Sequence, residues 1–193
     1  MNQRLYFTLE RDEGVRAEPY YDTASKLTVG VGRNLADKGV TFLELADLLS
    51  AVVTGKELLQ SLGDASVTIW KGRVQFTVAE VFNQLIPVGG LSELMIRQLL
   101  ENDVDEVVEQ LESEFPLWES YSDVRKEVLV NVLFNLGLGT FRRFKKMNDA
   151  IDRGDWNEAS VEMLDSRAAR QTGQRYPRLA EALRNDDPSP LEG

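Results

Sequence analysis

The stretch Arg11-Asp12-Glu13-Gly14, followed by Tyr21-Asp22-Thr23 and then by Leu27-Thr28-Val29-Gly30-Val31-Gly32, decides how this chain is read. Before it, Leu5 and Leu9 share a face at i,i+4 spacing with Tyr6 beside them, which predicts a helix over 3–13. Gly14 is placed to end that helix in a left-handed conformation. After it, Tyr20, Tyr21, Leu27, Thr28, Val29 and Val31 favour short strands over 17–33, and Ala24-Ser25-Lys26 reads as a turn. A helix end and a hairpin thereby carry two carboxylates and a hydroxyl, Glu13, Asp22 and Thr28, in one short segment. These are the parts needed to break a glycosidic bond. One carboxyl protonates the leaving oxygen, and the other, with the hydroxyl, holds and activates a water. Gly30 and Gly32 alone do not make a phosphate loop, because the third glycine and the following helix are missing.

Composition narrows the chemistry further. The 193 residues include no cysteine, which excludes a disulfide framework and a thiolate metal site. They include no histidine either, which excludes a Ser-His-Asp triad and the usual zinc ligand sets. No metal and no cofactor are expected. Acid–base work falls to Asp, Glu, Lys or Tyr. Formal charge is 22 − 32 = −10, so nucleic-acid binding is not expected. The charge is uneven: residues 101–123 hold nine acids and no base, whereas 124–184 hold twelve bases against eight acids. Arg142, Arg143, Lys145 and Lys146 form one basic cluster and Arg167, Arg170, Arg175 and Arg178 another, either an ordinary solvated surface or a place for an anionic polymer. The first residues lack a signal-peptide core, and no run approaches the roughly 18 apolar residues of a membrane helix, so no membrane insertion is expected.

Further along, Thr41-Phe42-Leu43-Glu44 reads as a capping box opening a helix to about residue 50, with more helix after Thr54. Residues 66–76 read as an extended excursion, and Thr77-Val78-Ala79-Glu80 as a second capping box. Leu94, Leu99, Val104, Val107, Val108 and Leu111 predict one long helix from Ser92 to about Glu114, stopped by Phe115-Pro116. Ser122 or Asp123 caps a strongly apolar helix over Val124–Leu136, closed by Gly137 and Gly139. Asp155 caps a short helix with Glu158 at its third position, and another helix begins near Pro177. The tail 186–193 is disordered by composition.

The run Asp12-Glu13-Gly14, Tyr21-Asp22-Thr23, Thr28-Val29-Gly30-Val31-Gly32 resembles the active-site segment of T4-type phage lysozymes, glycoside hydrolase family 24. The second half resembles the same family in Asn131-Val132-Leu133-Phe134-Asn135-Leu136-Gly137, Trp156-Asn157-Glu158-Ala159, Ser166-Arg167 and Gln171-Thr172 with Arg175 and Arg178. The resemblance implies a mainly α (α+β), two-lobed lysozyme fold: a small lobe with a β-hairpin, a long linking helix, and a helical C-terminal lobe, with the sugar chain bound between the lobes. On this frame the small lobe covers about 12–92 and the helical lobe about 1–11 and 93–185. The implied activity is inverting hydrolysis of the β-1,4 bond between N-acetylmuramic acid and N-acetylglucosamine in bacterial peptidoglycan. Glu13 takes the general-acid position, Asp22 the water-activating position, and Thr28 the position that holds the water. Inversion implies carboxyl groups roughly 6.5–9.5 Å apart. Asn135, Thr172 and Arg175 take substrate-binding positions, with Arg175 paired to the catalytic Glu.

The chain departs from the family pattern in places. Arg33 stands where the family often has His, and Asp103 occupies the matching acid position, so an Arg33–Asp103 ion pair is expected. Ala168 replaces a Trp near the cleft floor. Residues 34–90 form an ordered addition to the small lobe, suited to substrate grip, gating or docking. Through it, the chain is expected to serve a holin-dependent lysis pathway from the host cytoplasm or to associate with virion proteins, as a monomer. A virion docking module with little turnover is the alternative reading. Glu10 and Asp12 are expected to be solvated, Trp156 with Leu164 to be core, and Trp70 and Trp118 to pack rather than stack on sugars.

Overall fold

The computed structural model describes residues 2–49 and 67–192. The chain divides into two compact units, Glu13–Asp103 and Met1–Asp12 with Val104–Gly193. The fold is mainly α with small antiparallel sheets, as expected. Helix α1 (Gln3–Glu13) buries Leu5, Tyr6 and Leu9 and stops at Gly14, whose φ of +79° is the left-handed stop read from the sequence.

In the unit Glu13–Asp103, strands β1 (Arg16–Tyr21), β2 (Leu27–Gly30) and β3 (Arg33–Asn34) form one antiparallel sheet in that order. Tyr20 pairs with Thr28 and Tyr21 with Leu27, and every residue of β2 is buried. Strands β4 (Val40–Thr41), β5 (Val67–Trp70) and β6 (Arg73–Phe76) form a second sheet in the order β4-β6-β5, so the extended excursion is a hairpin. Gly39 precedes it at φ +66°, and a Cβ there would stand 2.3 Å from the Val74 carbonyl oxygen, which only glycine avoids. The Phe76 amide donates to the Leu35 carbonyl at 2.9 Å and joins the two sheets.

Helix α2 (Phe42–Leu49) opens with the expected capping box. The Thr41 amide donates to Glu44 Oε2 at 2.7 Å, and the Glu44 amide donates to Thr41 Oγ1 at 3.1 Å. The helix expected after Thr54 lies outside the described residues. The second capping box does not form. Helix α3 (Ala79–Asn83) takes Val78 as its N-cap, one residue late, which moves Glu80 from the third position to the second and out of reach of the cap. The long helix α4 (Glu93–Glu114) forms as expected, but Leu94 is 78% exposed. Its i+3 and i+7 neighbours are Arg97 and Glu101, on the solvent stripe, and Ile96, Leu99 and Leu100 carry the buried one.

In the other unit, Ser122 caps α5 (Asp123–Leu136) by accepting from the Arg125 amide at 3.3 Å. Every residue from Glu127 to Leu133 is buried, so α5 is the central helix of this unit. It ends at Gly137. Gly139 does not close it but lies inside a further turn, α6 (Leu138–Phe141). Helices α7 (Lys145–Asp152), α8 (Trp156–Leu164), α9 (Arg167–Gln171) and α10 (Arg175–Asn185) follow, with Asp155 accepting from the Glu158 amide at 2.9 Å. The expectation of a disordered tail is corrected. Residues Ser189–Glu192 form a last turn, α11, with Leu191 buried and its carbonyl accepting from Arg11 Nη1 at 3.1 Å. A single apolar anchor outweighs the polar, proline-containing composition around it. Trp118 packs as expected, but Trp156 is only half-buried, edge-on to Tyr121 and under the Arg125 guanidinium 4.4 Å from its ring. Leu164 beside it is 36% exposed, and Trp70 is 60% exposed rather than packed.

Candidate active site

Glu13 is the last residue of α1, and the left-handed turn at Gly14 sends the chain directly into β1. The side chain is half-buried, with Oε2 3.6 Å from where a Cβ of Gly32 would stand. A Cβ at Gly32 would therefore stand in van der Waals contact with the carboxylate, and it is the φ of +71° that favours glycine there. A groove of about 600 Å³ runs along Gly14–Tyr20 with Gly89, immediately beyond Glu13, within the size range of small-ligand sites.

Asp22 heads the β1–β2 turn. Its Oδ1 accepts from the Ala24 and Lys26 amides, each at 2.8 Å, while its own amide donates to the Lys26 carbonyl at 2.9 Å. Oδ2 has no hydrogen-bond partner among the described residues. One oxygen thus fixes the carboxylate and the other can accept from a water. Thr28 is 3% exposed, and its hydroxyl donates to the Lys26 carbonyl at 3.1 Å. A hydroxyl that spends its proton on a carbonyl keeps its lone pairs for accepting. Asp22 and Thr28 are therefore both oriented by Lys26, through its amide and its carbonyl respectively.

Tyr20 links this turn to Glu13. Burial raises its hydroxyl pKa, the Arg16 guanidinium opposes that, and the negative charges of Asp22 and Glu13 both raise it further. Both carboxylates consequently lie within electrostatic reach of one phenol. Nothing in the sequence distinguished Tyr20 from an ordinary strand aromatic.

The buried Arg33 meets the expected partner, Asp103, through Nη1, and also donates from Nη2 to Glu44 Oε2 at 2.6 Å and from Nε to the Gly39 carbonyl at 2.9 Å. Lys38 pairs with Asp103 as well, and Asn102 donates to Glu44 Oε1 at 3.0 Å. Burial pushes Glu44 up, but Arg33, the Thr41 amide and Asn102 together hold its carboxyl below the usual range. Burial lowers Lys38, against the pull of Asp103.

The remaining three predicted residues belong to the other unit. Arg175 is 5% exposed, donating from Nε to Asn131 Oδ1 at 2.9 Å and from Nη2 to the Asn131 carbonyl at 3.2 Å. Asn135 Oδ1 accepts from the Tyr176 hydroxyl at 3.2 Å, and Thr172 caps the end of α9 with its hydroxyl on the Ala168 carbonyl at 3.0 Å. Asp12 is not solvated. Its side chain is 4% exposed, taking Arg178 at 2.7 Å and Arg11 at 3.2 Å, with Arg175 at 3.7 Å. Glu13 and Asp12, adjacent in sequence, therefore fall in different units with different surroundings.

A model of the phage lysozyme family matches residues 10–185. The chain is 24% identical to the pre-baseplate central spike protein Gp5 of Enterobacteria phage T4, over 92% of this chain but only 27% of that protein's length. It is 25% identical to probable T4-type lysozyme 2 of Dictyostelium discoideum, over 89% of this chain and 88% of that protein. Probable T4-type lysozyme 1 of the same organism is 22% identical, over 91% and 90% respectively.

Proposed function

The chain belongs to the phage lysozyme family, and on that premise we propose that it is a muramidase that hydrolyses the β-1,4 bond between N-acetylmuramic acid and N-acetylglucosamine in peptidoglycan. Glu13 protonates the departing glycosidic oxygen. Asp22 accepts a proton from a water through Oδ2 while Oδ1 stays on the turn amides, and Thr28 accepts from the same water. The water's oxygen attacks the anomeric carbon as the glycosidic bond breaks, with inversion. Arg175, Asn135 and Thr172 are assigned to substrate binding on the family resemblance alone.

The observation that carries this reading is the turn that follows Glu13 and β1, where the Lys26 amide holds Asp22 Oδ1 at 2.8 Å and the Lys26 carbonyl holds the Thr28 hydroxyl at 3.1 Å. The charges of Glu13 and Asp22 both act on the Tyr20 hydroxyl, which supports assigning the two carboxylates to one site. The test is clearing of purified cell walls by the wild type and by Glu13→Gln. The wild type clears, Glu13→Gln does not, and circular dichroism finds the variant folded. Mass spectrometry of the products finds hydrolysed ends rather than 1,6-anhydro sugars.

A second reading has one observation behind it, the similarity to a phage spike protein over nine-tenths of the chain. It makes the chain a virion docking module with a lysozyme fold. A wild type that clears no wall at any pH or salt concentration overturns the first reading and leaves this one.

A further inference from the structure

The second sheet presents a face that bond cleavage does not use. Side chains alternate along a strand, so Val40, Val74 and Phe76 point inward and are fully buried, while Thr41, Thr68, Trp70, Arg73 and Gln75 share the outer face. Trp70 lies next to the β5–β6 turn with 60% of its surface in water, and the Lys71 ammonium stands 6.0 Å from its ring centroid. The segment 67–78 carries Lys71 and Arg73 and no acid, in a chain of net charge −10. This face is also tied to the turn that holds Asp22. Gln75 donates to the Asp37 carbonyl, the Asp37 carboxylate pairs with Lys26 Nζ at 3.1 Å, and the Lys26 amide donates to Asp22 at 2.8 Å.

We propose that this outer face, centred on Trp70 and Lys71, is a second contact for the wall polymer, gripping a peptide-bearing glycan strand away from the bond being cleaved. The proposal rests on the muramidase reading. The C–H face of a pyranose carries partial positive charge and packs on the negative face of the indole. Lys71 beside it is complementary to the carboxylates of the peptide stems, in a molecule whose net charge of −10 opposes their approach. The surrounding threonine hydroxyls donate to and accept from sugar hydroxyls and acetamido groups.

The experiment is cosedimentation of the Glu13→Gln protein with purified sacculi, alone and with Trp70→Ala, Trp70→Tyr or Lys71→Glu added. Trp70→Ala weakens binding about three- to tenfold, the scale of one aromatic contact. Trp70→Tyr retains most of the affinity because the platform remains. Lys71→Glu weakens binding to intact sacculi and has no effect on glycan strands stripped of their peptides. Wall clearing by the protein with Glu13 intact is measured in parallel and reports on the muramidase reading itself. Clearing together with unchanged Trp70→Ala affinity overturns the second contact and leaves the enzyme reading standing. Neither clearing nor sacculus binding overturns both. An effect of Trp70→Ala confined to self-association in analytical ultracentrifugation assigns the face to a second copy of the chain and overturns the glycan contact.

Discussion

Asp22 uses Oδ1 for the Ala24 and Lys26 amides, so substitution can separate that turn contact from the water-activating task proposed for Oδ2. In Asp22→Asn the amide oxygen still accepts from both backbone donors, but the second atom becomes an NH₂ donor that cannot take a proton from water. Wall clearing is expected to fall by about a hundredfold or more, the usual scale for a lost general base, with the melting temperature unchanged. Asp22→Ala removes the turn contacts too and is expected to lose about 1 kcal/mol of stability in addition, read by thermal melts. Glu13, Asp22 and Thr28 could be proposed from the sequence because the whole set lies within sixteen consecutive residues, a spacing that does not depend on tertiary context. Asp12 was not legible, because what buries it is Arg178, 166 residues away. Nothing local distinguishes an acid that pairs at that distance from one that faces water.

At the scale of elements, α2 is fastened to α4 by a balanced cluster of two carboxylates and two cations, Glu44 and Asp103 with Arg33 and Lys38. The Thr41–Glu44 capping box was legible because it is a local pattern. The second job of Glu44, bonding Arg33 and Asn102, was not, since it depends on which strand and helix pack against the cap. Thr77–Glu80 matches the same pattern and fails, because the helix starts at Val78 instead. Glu44→Gln leaves the two cations Arg33 and Lys38 to share the single carboxylate of Asp103 and is expected to cost about 3 kcal/mol at pH 7 in denaturant unfolding. The pH dependence follows from the sign of the shift. The folded carboxyl of Glu44 lies below its unfolded value near 4.5, so its contribution is complete above that pH and is lost as pH falls through the folded value. Glu127 runs the other way, because burial raises its carboxyl despite Arg4 and Asn2, and its protonation favours the folded state. The stability of the wild type is therefore expected to fall more steeply than that of Glu44→Gln between about pH 5 and pH 2 in paired thermal melts. Leu191 tests the other element that sequence misread. Buried at 2% exposure, it is expected to lose about 2 kcal/mol as Leu191→Ala, whereas a disordered tail loses nothing.

Over the whole molecule, the family pattern made the mainly α architecture and the long helix legible, while the chain's net charge runs against what an anionic wall requires. The charge of −10 is concentrated, with nine acids and no base across residues 101–123, and Glu109 and Glu112 are fully on the solvent side of α4. At low ionic strength that field extends roughly 30 Å and slows the approach of the protein to a polymer of the same sign. At about 0.1 M salt it is confined to roughly 10 Å, while contacts made within the site are screened far less. The initial rate of wall clearing is therefore expected to rise as salt is increased from about 0.01 M to about 0.1 M, the reverse of the behaviour of a basic protein on the same substrate. Glu109→Gln with Glu112→Gln reduces the negative field without touching a packed residue. The double variant is expected to raise the rate in low salt and to converge with the wild type in high salt, measured as turbidity loss of purified walls. A rate that falls steadily with salt in the wild type places the controlling electrostatics in the basic residues of 124–184 rather than in the acidic stretch before them.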